Sequence, residues 1–248
     1  MKKILEVSYL KKNYHTEKEE IQALKDISFD VEEGEFISIV GPSGCGKSTI
    51  LSILSGLENK SGGSITILNN KKIAYMLQDD SLLPFRTIFE NACIGLEIKN
   101  QLTKENTQYV LHLLKTYGLE EFIHQYPNSL SGGMRQRVSL IRTLALRPDV
   151  LLLDEAMSAL DYQTRLTIGE DLYNIIKKEG KTAIMVTHDI GEAISMSDRV
   201  IVLTNRPSTV KNIYSIHLKE KRSPILNRSD PKFSKYFNAI WRDLHEEV

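Results

Sequence analysis

Residues 41–49 read Gly41-Pro42-Ser43-Gly44-Cys45-Gly46-Lys47-Ser48-Thr49. The glycines let successive backbone N–H groups turn inward and ring an anion, which is the chemistry of a phosphate-binding loop. In the pattern G-x-x-x-x-G-K-[ST], the lysine reaches the β- and γ-phosphates of a nucleoside triphosphate and the hydroxyl after it holds Mg²⁺. Those roles fall to Lys47 and Ser48. A second segment, Val150-Leu151-Leu152-Leu153-Asp154-Glu155, is an apolar run ending in two carboxylates. Buried strands of an α/β sheet deliver their C-terminal residues to the ligand crevice. There Asp154 is placed to orient Mg²⁺, directly or through water, and Glu155 to polarise an attacking water as general base. An apolar strand followed by Asp-Glu is common in proteins and acquires this meaning only downstream of a phosphate loop.

Both segments need a strand before them. Phe36-Ile37-Ser38-Ile39-Val40 reads as a buried strand feeding the glycine loop. Residues 47–57 follow as a helix with Ile50, Leu51, Ile53, Leu54 and Leu57 on one face. Residues 150–154, 182–187 and 200–203 supply further apolar, β-branched strands, so the alternation predicts an α/β sheet. Between Pro84 and Pro148 the pattern turns helical. Val110, Leu111, Leu113 and Leu114 fit one helix, and Val138, Leu140, Ile141, Leu144 and Ala145 fit another. The sequence does not place the strands over residues 62–75. The tail from Asn205 starts irregularly and then forms one amphipathic helix. Asp230 stands as N-cap, Pro231 at the first helical position, and Phe233, Phe237, Ile240, Trp241 and Leu244 share a face. That helix either packs on the chain's own core or serves a regulatory or docking role.

The chain has 248 residues, 41% hydrophobic and 26% charged, and Lys+Arg equals Asp+Glu at 32. This is the composition of a globular domain, with no electrostatic case for nucleic acid as a partner. No apolar run approaches the ~18 residues of a membrane span, and the N-terminus has no sustained apolar segment after its lysines, so neither signal peptide nor anchor is expected. Cys45 and Cys93 form no disulfide framework and read as free thiols.

The octet Leu130-Ser131-Gly132-Gly133-Met134-Arg135-Gln136-Arg137, just upstream of the carboxylate strand, resembles the signature segment of the ATP-binding-cassette (ABC) ATPases. The resemblance covers nearly the whole chain. It implies a P-loop NTPase fold: a RecA-like core with a β-subdomain (residues 1–83 and 149–205), an inserted α-helical signature subdomain (84–148) and a C-terminal extension (206–248). It also implies a homodimer sandwiching two Mg·ATP, in which Ser131 and the N–H groups of Gly132 and Gly133 face the γ-phosphate held by the other copy. Gln78, in Tyr75-Met76-Leu77-Gln78, matches the glutamine that senses Mg²⁺ and water and links the two subdomains. Ser158-Ala159-Leu160-Asp161 matches the loop that crosses the interface. His188 matches the histidine at the γ-phosphate, and Tyr14 the aromatic that stacks on adenine. The chain departs from the family in having Ala156 where proline usually follows the catalytic glutamate, which leaves that turn less constrained.

Leu82-Leu83-Pro84-Phe85-Arg86-Thr87 is similar to the Leu-Leu-Pro-Trp-Arg-Thr of nitrate, sulfonate and taurine importer ATPases, with Phe85 for Trp. Glu90-Asn91, Gly95-Leu96-Glu97 and Asn205-Arg206-Pro207 fit the same subgroup. The resemblance implies an ATPase subunit docked to integral-membrane permease subunits at the cytoplasmic face of a cell membrane. It also implies an extracytoplasmic solute-binding protein that reads a small nitrate- or sulfonate-like solute. The alternatives are a stand-alone cassette driving an exporter and a soluble cassette outside transport.

Overall fold

A computed structural model of the chain describes residues 2–15, 19–158, 160–218 and 223–245. Its centre is a set of short parallel strands: β3 (Phe36–Val40), β5 (Ile73–Met76), β6 (Val150–Asp154), β7 (Thr182–Val186) and β8 (Arg199–Leu203). Every residue of β3, β6 and β7 is buried, which explains their unbroken apolar sequences. Three longer strands, β1 (Lys3–His15), β2 (Glu20–Glu32) and β4 (Gly62–Ile67), pair antiparallel, while β9 (Ser208–Ser215) bridges β2 and β8. The full order is β4-β1-β2-β9-β8-β3-β7-β6-β5. Residues 62–75, whose strands the sequence does not place, hold β4 at one edge of this sheet and the start of β5 at the other.

Side-chain alternation along β6 divides two cores. Leu151 and Leu153 pack with Phe36, Met185 and the apolar faces of α2 (Ile88–Ile98), α3 (Lys104–Thr116), α4 (Gly132–Leu144) and α5 (Tyr162–Lys178). Val150 and Leu152 face the other way, towards α1 (Lys47–Leu54) and the inner face of β1 and β2. A third cluster joins β8, α6 (Ile190–Met196) and Ile240 of α8 (Phe233–His245).

Several expectations need correction. The first helix ends at Leu54, because Gly56 adopts a left-handed φ of 79° and Leu57 N–H bonds back to Ser52 O. Leu57 is thereby turned outward and is 71% exposed. Leu111 sits on the rim of α3 at 39% exposure, outside the face made by Val110, Leu113 and Leu114. The tail after Asn205 does not begin as an irregular segment. It forms β9, so residues 208–215 belong to the sheet, and then α7 (Pro224–Asn227). The last helix begins at Phe233, and Asp230 caps the entry turn by accepting Lys232 N–H at 2.7 Å. Within it Trp241 is half exposed, its ring stacked between Phe237 and His245, while Ile240 carries the burial. Cys45 and Cys93 are free and buried. Among the described residues no helix is long and apolar enough to cross a membrane.

Candidate functional site

The parallel strands all end at one edge of the sheet, and the site is built there. β3 runs into the glycine loop, whose last glycine opens α1. Gly46 has a φ of 102°, and a Cβ there would come 2.8 Å from the Leu24 side chain, so only glycine both turns the loop and lets β2 pack beneath it. Lys47 is buried, with Nζ donating to the carbonyls of Gly41 (2.9 Å) and Pro42 (3.0 Å), which holds the ammonium at the loop's centre. Cys45 lies beneath the loop, 1% exposed, and burial raises its thiol pKa.

Asp154 ends β6 and is 5% exposed. Its two oxygens accept from the Ser48 hydroxyl (2.9 Å) and the Tyr75 hydroxyl (2.6 Å). Glu155 follows with a left-handed φ of 43°. For a non-glycine residue that conformation is costly, by ~1–3 kcal/mol, and persists only when the surroundings enforce it. Glu155 N–H bonds to Val186 O and Ser158 N–H to Glu155 O, both at 2.9 Å, and Ala156 is buried. These bonds close the turn that alanine in place of proline was expected to leave less constrained. The Glu155 carboxylate lies 3.2 Å from His188 Nδ1. Gln78 is exposed, with Nε2 at 3.5 Å from the Ser158 hydroxyl. Tyr14 is half-buried, with its hydroxyl 3.4 Å from Thr49 Oγ1 and Lys12 Nζ 4.7 Å from the ring centre.

A cavity of about 550 Å³ gathers Tyr14, Ser43, Gly44, Gly46, Lys47, Ser48, Thr49, Glu155 and His188. Gly41, Pro42, Cys45, Gln78, Asp154, Ser131, Gly132, Gly133 and Asp161 do not line it. Ser131 caps α4 by accepting Met134 N–H at 3.3 Å, and Gly133 is buried so tightly that a Cβ would meet Ile168 at 2.5 Å. Asp161 caps α5, and the hydrogen bonds from Thr164 hold its carboxyl below the usual range. Ala159 of the same loop lies outside the described residues.

Several site residues escaped the motif reading. Tyr75 is one and Arg206 is another. Arg206 lines the cavity and its guanidinium bonds to Gly44 O, Nε at 3.0 Å. The segment after Gln78 is tied to α4 through Asp80, which pairs with Arg135 Nε at 2.9 Å and whose carbonyl accepts from Arg142 at 2.7 Å. Behind His188, the Thr187 hydroxyl bonds to the buried carboxyl of Glu192, which desolvation raises to about 7 against the attraction of Arg165 and Arg228. Arg165 in turn donates to Leu160 O at 2.9 Å and pairs with Asp189 at 3.5 Å.

The ABC transporter family model matches residues 24–158. An uncharacterized ABC transporter ATP-binding protein of Bacillus subtilis is 46% identical over 97% of this chain and 95% of its own length. The nitrate transport protein NasD of Klebsiella oxytoca is 34% identical over 100% and 98%. The aliphatic sulfonates import ATP-binding protein SsuB of Bacillus cereus is 38% identical over 82% of each. Among solved structures, a dimeric ATP-binding cassette in a post-hydrolysis state bound to ADP and Pi aligns with a TM-score of 0.74. It is 33% identical over 86% of this chain and 99% of that one.

Proposed function

The chain belongs to the ABC transporter ATP-binding family, and from that premise we propose that two copies hydrolyse ATP to drive a membrane importer for a small oxyanion. The observation that supports this best is the convergence of glycine loop, Glu155 and His188 around one cavity, with Asp154 bonded to Ser48 behind its lining.

The geometry supports the following roles. The loop N–H groups and the N-terminus of α1 take the phosphates. Lys47 exchanges its two carbonyl partners for β- and γ-phosphate oxygens. Tyr14 stacks on the base. Glu155, aimed by its strained turn, polarises the attacking water, and His188, within hydrogen-bond reach of Glu155, contacts the γ-phosphate. Ser48, Asp154 and Gln78 offer hydroxyl, carboxylate and amide oxygens, a hard-donor set that fits Mg²⁺ bound together with substrate phosphates. When bound, Mg²⁺ supplies charge neutralisation on the β- and γ-phosphates.

Ser131, Gly132 and Gly133 stand at the N-terminus of a thirteen-residue helix and outside the chain's own cavity. We assign them, with Asp161, to the nucleotide of a second copy. A dimeric solved cassette of similar fold supports that arrangement.

Docking to a permease is supported by the 82–87 loop. Asn91, fully buried, accepts Leu83 N–H at 2.7 Å and donates to the carbonyls of Leu83, Arg86 and Thr87, so a rigid loop carries Phe85 outward at 72% exposure. An apolar ring held out on a fixed loop suits a contact with a partner helix at the cytoplasmic face of a membrane. Relatives named for nitrate transport and aliphatic sulfonates import support import and an oxyanion solute, which a separate extracytoplasmic binding protein would select.

The purified chain is expected to release phosphate from Mg·ATP, with Lys47→Ala at least ~100-fold slower. Equal rates in the two proteins would overturn the assignment of this cavity to hydrolysis.

A further inference from the structure

Arg206 is a charged residue lining the nucleotide cavity to which neither the phosphate-loop motif nor the hydrolysis chemistry gives a task. It lies three residues beyond the end of β8 and is exposed, yet its side chain reaches back over the glycine loop. Nε and Nη2 both donate to the carbonyl of Gly44, the first at 3.0 Å. Gly44 has a φ of 73°, and a Cβ there would come 3.1 Å from Nη2, so the small residue opens the space into which the guanidinium fits.

Strand order places this group within the cavity. β3 feeds the phosphate loop. On one side of it lie β7 and β6, whose ends carry His188 and Glu155. On the other lie β8, β9, β2 and β1, which carry Arg206 and Tyr14. The cavity therefore has a hydrolytic side and a base side, and Arg206 stands on the base side. Its guanidinium has more N–H groups than the Gly44 carbonyl engages, arranged as a planar fork suited to phosphate oxygens and ribose hydroxyls.

We propose that Arg206 is a nucleotide-binding residue that pins the phosphate loop through Gly44 and presents its remaining N–H groups to the ribose and α-phosphate of the bound nucleotide. The inference rests on the proposed function of the cavity. ATP and ADP share this end of the molecule, so Arg206 contributes equally to both, unlike a group that touches the γ-phosphate.

The test is equilibrium binding of Mg·ATP and Mg·ADP by titration calorimetry to wild type, Arg206→Gln, Arg206→Lys and Lys47→Ala. Thermal melting accompanies each titration. Arg206→Gln is expected to weaken both nucleotides about tenfold, the scale of a charge-assisted hydrogen bond, with an unchanged ATP-to-ADP ratio and a wild-type melting temperature. Arg206→Lys, which keeps the charge and a donor, is expected to recover part of that loss. Wild-type affinity in Arg206→Gln, a loss confined to ATP, or a Lys variant as weak as the Gln variant would each contradict the proposal. The Lys47→Ala arm separates the two levels. If it binds like wild type, nucleotide does not occupy this cavity and the proposed function fails. If it loses binding while Arg206→Gln does not, only the role of Arg206 fails.

Discussion

Asp154 shows how a single carboxylate is fixed for its task. It is almost fully buried, and an isolated buried charge is costly unless its lone pairs are satisfied. Ser48 and Tyr75 satisfy one oxygen each. Ser48 is a proposed metal partner as well, so Tyr75 is the group that orients Asp154 whatever occupies the cavity. Desolvation and the adjacent carboxylate push the Tyr75 phenol well above its ordinary pKa, which keeps it a donor at any working pH. Tyr75→Phe keeps the ring and removes that hydrogen bond. It is expected to raise the Mg²⁺ concentration needed for half-maximal ATP hydrolysis by roughly tenfold, the usual scale for partners behind a metal ligand. A variant with the wild-type Mg²⁺ requirement would show that Tyr75 is a packing residue only.

At the scale of elements, α6 ties the site to the rest of the chain. Glu192 in its first turn holds Thr187, the residue before His188, while Arg165 and Arg228 face the same carboxyl from α5 and from the segment after α7. The carboxyl is raised from 4.5 to about 7 by desolvation first and by Asp189 second. A raised acid binds its proton more tightly in the folded chain, so its contribution is fully present below pH 4.5 and is lost as pH climbs through about 7. The loss amounts to up to roughly 3 kcal/mol. Glu192→Gln mimics the neutral form. Its melting temperature, compared with wild type from pH 5 to pH 8, is expected to move in the mutant's favour as pH rises. A constant difference across that range would show that Glu192 does not titrate there.

These same elements show what the sequence made legible and what it hid. The strands β3, β6 and β7, the glycine loop and the helix after it could be read because each is local: an apolar run, a glycine spacing and a 3.6-residue period. Asp154 and Glu155 were readable as the end of such a run. Tyr75 was in plain view beside Gln78 but unassigned, because its partner is set by sheet register. Tyr75 pairs with Leu152, two residues before Asp154 and therefore on the same face. That relation exists only once β5 is known to lie beside β6. Arg206 and Glu192 depend likewise on strand and helix neighbours far away in sequence. β9 was missed because its residues are mostly polar and half-exposed, leaving little alternation to detect. Leu57 and Trp241 fit a helical face by period and yet lie outside it, since period alone does not say where a helix stops or how wide its buried stripe is.

On the scale of the whole molecule, the proposed dimer divides each nucleotide site between two copies. The phosphate loop, Glu155 and His188 share a cavity, whereas Ser131, Gly132, Gly133 and Asp161 are held rigidly by helix caps and by the close packing of Gly133 on Ile168, away from that cavity. Two copies related by a two-fold axis would complete two cavities at once, as isologous pairing requires. In that proposed arrangement nucleotide would be the ligand of the dimer, and its γ-phosphate the bond between subunits. Hydrolysis would remove that bond and so couple association to chemistry through the same few residues.

The most direct measurement of this claim is the mass in solution, by light scattering, of wild type and Glu155→Gln with and without Mg·ATP, with phosphate release followed in parallel. Glu155→Gln keeps the side-chain shape and removes the proposed base. It is expected to form a stable dimer only when ATP is present and to release phosphate at least ~100-fold more slowly than wild type, which turns over and does not accumulate the dimer. A Glu155→Gln chain that stays monomeric with ATP and hydrolyses it at the wild-type rate would contradict both the role of Glu155 and the shared site.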